Sequence, residues 1–118
     1  MDVHNHPIMT NVYRHLYKMK KKPALYFGMV PSLELILAWI SGYKEAHFDN
    51  DSELSKLAGG ECIPDFNEFV SEKYHNISQT HDWVRLINFY NINLEHAFNT
   101  FYKFLDEFLA QKGISVNS

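Results

Sequence analysis

A chain of 118 residues that is 46% hydrophobic and 15% aromatic has room for one core and the rings to fill it, which excludes disorder and favours a single domain over 1–118. The lone Cys62 excludes an internal disulfide framework, and no apolar run reaches the ~18 residues of a membrane span, so a cytoplasmic setting is expected. The net charge of −3 conceals a polarity, because residues 1–22 carry +4 and residues 44–72 carry −6.

Residues 1–8 lack the charged-then-apolar order of a signal peptide and read as a frayed leader closed by Pro7. His4 and His6 are candidate metal ligands, yet two imidazoles on a chain end do not close a site, and no metal or other cofactor is expected. Thr10 or Asn11 is placed to cap a first helix running to about Lys21, with Val12, Leu16 and Met19 as its apolar stripe. Lys20, Lys21 and Lys22 complement the carbonyl end of that helix, so the basic run is assigned to the dipole and not to nucleic acid. Pro23 ends it, and Ala24 to Gly28 reads as an extended, ring-rich connector.

Pro31 and Ser32 open the stretch 32–48, expected as a central helix. Leu33, Ile36, Leu37, Ile40 and Tyr43 share one face, and Leu35, Ala38 and Trp39 carry apolar character around it, the pattern of a helix enclosed by others. Gly42 inside it marks a bend or a close neighbour. Asp49, Asp51 and Glu53 alternate as in a calcium loop, but Leu54 and Gly60 stand where the loop's glycine and final glutamate belong, leaving a solvated acidic loop.

Pro64 and Asp65 open a third helix, with Asp65 as cap and Glu68 completing a capping-box pair. Phe66, Phe69, Val70 and Tyr74 form its buried stripe, and Glu68 and Glu72 its exposed face. Ser78 or Thr80 is expected to cap a fourth helix carrying Trp83, Val84, Ile87 and Tyr90 on one side. A fifth carries Leu94, Ala97, Phe98, Phe101, Leu105 and Phe108 at steps of three and four, and ends at Gly113, after which 114–118 fray. No period-two strands appear, so the fold class is all-α: about five helices in one bundle around the helix 32–48.

No catalytic motif is assembled. His81 and Asp82 are adjacent, hence about 100° apart on a helix, and there is no His-Glu-x-x-His, phosphate loop or paired cysteine motif. Cys62 beside Ile63 and Pro64 reads as a small hydrophobe. An enzyme is therefore not expected, and a protein-binding module is.

The segment Lys21-Lys22-Pro23-Ala24-Leu25-Tyr26-Phe27-Gly28, followed by a helix containing Gly42-Tyr43, resembles a family of small bacterial proteins in which basic-basic-Pro-x-x-Tyr-x-Gly precedes a helix with a Gly-Tyr pair. Pro64 to Phe69 and Ala97 to Phe108 are similar to that family's carboxyl half, so the likeness spans roughly 20–109, with Leu25 where Met is more usual. Proteins of this type resemble the immunity proteins of contact-dependent and other polymorphic toxin systems. The resemblance implies a cognate protein toxin as partner and brings no catalytic residue. A basic, nuclease-type toxin agrees with the acidic stretch, and Asp49, Asp51, Glu53, Asp65, Glu68 and Glu72 are the expected contacts, with Trp39 and Tyr43 as aromatic anchors. The alternative is a regulatory or assembly domain forming homodimers through surplus aromatic surface. A further one is a small-molecule pocket lined by Tyr26, Phe27, Trp39 and Trp83.

Overall fold

Helix ends and ring contacts organise the chain. The computed structural model describes residues 3–28, 31–48, 63–75 and 82–115, so Asp49, Asp51, Glu53 and Cys62 lie outside the described residues. Six helices and no strand are found among them: α1 Pro7–Lys21, α2 Pro23–Phe27, α3 Leu33–Phe48, α4 Phe66–Lys73, α5 Trp83–Tyr90 and α6 Leu94–Gln111. The fold is all-α, as the periodicities imply.

α1 begins earlier than Thr10. Pro7 occupies the first helical position, where its fixed φ is an advantage, and His6 Nδ1 accepts from the Ile8 amide at 3.2 Å. Thr10 lies inside the helix, its hydroxyl donating to the Pro7 carbonyl at 2.9 Å. The leader is also not loose over its described part. His4 sits in a 3₁₀ turn, Val3–Asn5, and is 1% exposed. Its Nδ1 lies 2.7 Å from the Tyr13 hydroxyl, and its ring meets the edge of Phe108. His4 and His6 thus serve the start of the fold separately.

The segment after Pro23 is helical and not extended. A proline at the first position suits one short turn, and Gly28 at φ 72° closes it with its amide on the Ala24 carbonyl. Phe27 then packs edge-on against Phe98.

α3 is capped by Ser32, whose hydroxyl accepts from the Leu35 amide. It contacts α1, α5 and α6. Burial along it is one-sided: Leu33, Ile36 and Ile40 are buried, whereas Leu35 and Ala38 face solvent. Gly42 is exposed, and a Cβ there would meet nothing within 4 Å among the described residues, so none of them approaches closely at that point.

α6 carries the largest buried stripe, including Phe98, Phe101, Leu105 and Phe108. Around it Phe66 touches Trp83, Phe101 and Phe108 with ring centroids 5.2–5.8 Å apart, and Trp83 stacks on Phe101 at 4.8 Å. Such offset and edge-on ring pairs add to the area they bury. Asp82, not Ser78 or Thr80, caps α5, accepting from the Arg85 amide at 2.9 Å. α6 starts at Asn93, which accepts from the His96 amide. It ends as expected at Gly113, φ 72°, with Ile114 N–H on the Leu109 carbonyl and Gly113 N–H on the Ala110 carbonyl. Ile114 packs on the core instead of fraying.

Candidate functional site

The acidic side chains of α4 owe their position to that helix's packing. Phe66 and Val70 are buried and Phe69 is half-buried, so Asp65, Glu68 and Glu72 must project from the opposite, solvent side. They line a groove of about 390 Å³ together with Phe69 and with Phe108, Gln111 and Lys112 from the end of α6. Two half-buried or buried rings thus share the lining of the groove with three carboxylates.

Asp65 occupies the cap position but does not cap. Its φ of 70° places it in the left-handed region, and its side chain makes no hydrogen bond to α4, so the expected capping box with Glu68 is absent. The carboxylate turns instead to the far side of the groove, where Oδ2 lies 3.6 Å from His4 Nε2 and 3.7 Å from Lys112 Nζ. Aspartate tolerates this backbone better than most residues. The two lysines nearby, Lys73 at the end of α4 and Lys112 after α6, are engaged locally. Lys112 lies over Phe108 and beside Asp65, and Lys73 pairs with Glu107 while standing 5.3 Å from the Phe69 ring centroid. Glu68 and Glu72 are exposed and, among the described residues, meet no cation at ion-pair distance.

Trp39 and Tyr43 belong elsewhere. They are half-buried and stack at 5.2 Å on the outer side of α3, between His15 of α1 and His47. Burial lowers the His15 pKa below its usual 6.5, and the neighbouring Lys18 and Arg14 lower it further. This second surface is therefore aromatic, with a His15 ring biased toward its neutral form and Lys18 and Arg14 beside it, unlike the groove. The rings proposed to share a small-molecule pocket also part company: Trp83 is in the core, Phe27 is on Phe98, Trp39 is with His15, and Tyr26 is 45% exposed.

Sequence reasoning brought together the α4 carboxylates and missed the opposite wall. Gln111 ends α6 and Lys112 follows it, and the sequence does not say which helix packs against that end; the Lys73–Glu107 pair shows in the structure that α4 lies along the second half of α6. No group of His, Cys, Asp or Glu among the described residues is arranged to hold a metal ion. No helix among them is long and apolar enough to cross a membrane. Comparisons with protein families, with curated proteins and with solved structures find no match.

Proposed function

We propose that this chain is a non-catalytic protein-binding module, a cytoplasmic immunity protein of a bacterial contact-dependent or polymorphic toxin system, which neutralises a basic cognate toxin through the α4 groove. The observation that carries the reading is the placement of Glu68 and Glu72, unpaired among the described residues, along one groove whose own lysine, Lys112, is already engaged by Asp65 and Phe108. An arginine or lysine of a toxin would find there two exposed carboxylates that meet no cation at ion-pair distance among the described residues. A nuclease presents such cations to bind phosphate, and occupying them blocks substrate without chemistry by the inhibitor. Asp65 adds a third carboxylate at the end of the groove.

Co-purification with the product of the adjacent upstream gene, followed by calorimetry, tests this. Reversing charge in Glu68→Lys/Glu72→Lys should weaken the complex by about 100-fold or more, since truncating desolvated charge pairs costs several kcal/mol. Both positions are exposed, so the fold should survive. Unchanged affinity in a folded variant refutes the groove as the contact surface.

A further inference from the structure

We infer that the corner between α5 and α6 is a self-association surface, and that its occupant is a second copy of this chain. Phe89 is 78% and Ile92 88% exposed, and Tyr90, Leu94 and, from the start of α3, Leu35 are each about half exposed. The Asn88 amide donates to Glu34 at 2.9 Å, which brings the Leu35 turn against the same corner. The exposures amount to about three whole side chains in water, roughly 500 Å² when an aromatic side chain counts for ~150–250 Å². Apolar patches beyond a few hundred Å² mark interaction sites.

The corner is not a loose turn that would fold its rings inward. Asn91 is committed to holding it: its amide donates to the Ile87 carbonyl at 2.7 Å, and its oxygen accepts from the Thr100 hydroxyl at 2.8 Å. Tyr90 stacks on Tyr74 at 4.2 Å. A rigid knob loses little entropy when it is covered.

Charge selects the occupant. Residues 86–94 contain no ionisable carboxylate, amine or guanidinium, and the Glu34 carboxylate at the edge of the patch is held by the Asn88 amide and the Ser32 hydroxyl, so the apolar centre can face its own image with little like-charge repulsion. The acidic groove could not. Arg85, exposed and one turn before Phe89 on the same face, and Glu95, exposed beside Leu94, put opposite charges on the two flanks. A two-fold axis exchanges those flanks, so Arg85 of one copy meets Glu95 of the other, twice. A standard interface needs ~800 Å² per partner, of which this apolar core offers roughly 500 Å² and the polar rim has to add the rest.

Sedimentation equilibrium and native mass spectrometry from micromolar to millimolar concentration test the inference. The chain should reach twice the monomer mass. Ile92→Glu should raise the dimer dissociation constant by about 100-fold or more with an unchanged circular dichroism spectrum, as expected for a central contact. Arg85→Glu and Glu95→Arg should each weaken the dimer, and the double exchange should restore it. A chain that stays monomeric throughout, or a dimer indifferent to Ile92→Glu, overturns the proposal. So does a monomer in which Ile92→Glu abolishes toxin binding, because the corner then takes a different partner. The test is independent of the toxin reading, which rests on Glu68 and Glu72 alone.

Discussion

Tyr17 and Tyr102 give their phenol protons to fixed oxygens, Tyr17 to the Asp106 carboxylate and Tyr102 to the Leu16 carbonyl. Burial raises both pKa values above the usual 10.0, and for Tyr17 the Asp106 carboxylate adds to the effect. The folded chain therefore keeps protons that the unfolded chain releases above pH 10. Stability from these groups is complete below that pH and falls as pH rises, by up to about 1.4 kcal/mol per pH unit for each tyrosine. Urea unfolding at successive alkaline pH values should show that decline. Tyr17→Phe/Tyr102→Phe should flatten it, whatever constant offset the lost hydrogen bonds impose near neutrality. An equally steep decline in the double variant would mean that other groups control alkaline unfolding. None of this was legible in the chain, since residues 89 and 86 positions apart had to be brought together first. His4 was unreadable for the same reason: its partners Tyr13 and Phe108 make it structural, while its neighbours in sequence suggest a loose end.

Helices and their stops were the most legible feature at the level of elements. α1 ends before Pro23, α3 and α6 occupy the stretches where apolar residues recur at three and four, and Gly113 closes α6. Starts were less legible, because Asp, Asn, Ser and Thr near an apolar run offer several caps and the packing of the first turn chooses among them. Asp82 takes the cap of α5, and at α4 the Asp65 carboxylate lies toward His4 and Lys112 instead of capping. α2 was misread because an isolated five-residue helix is unstable on its own, and tertiary contact through Phe27 sustains it. The expected enclosure of α3 also overreached: hydrophobicity on all sides does not oblige all sides to be covered, and Leu35 remains half exposed. Gly42 follows from that exposure. With no described residue near it and no positive φ, it brings only its backbone entropy to α3. Gly42→Ala should stabilise the chain by about 0.5–1 kcal/mol, seen as a rise of a few degrees in Tm. A lower Tm would show that the glycine has a packing role after all.

The whole molecule sets its two candidate surfaces apart along α6. The groove uses Phe108, Gln111 and Lys112 at the carboxyl end, and the apolar corner uses Leu94 at the amino end. The 18 residues of that helix put about 25 Å between them at 1.5 Å per residue. Toxin and second copy should therefore bind together, giving an assembly of two chains and two toxins. The two contacts differ in kind, which supplies the discriminating experiment. Groove binding is charge attraction at an exposed site, so added salt screens it and slows association. Dimer contact buries apolar surface, which sulfate strengthens, and its rim pairs Arg85–Glu95 are too exposed to reverse that trend. Native mass spectrometry or light scattering at low ionic strength should report the two-plus-two assembly, and ammonium sulfate should strip the toxin while leaving the dimer of this chain. If toxin addition instead split the dimer, the surfaces would overlap, and the placement of the two activities at opposite ends of α6 would fall.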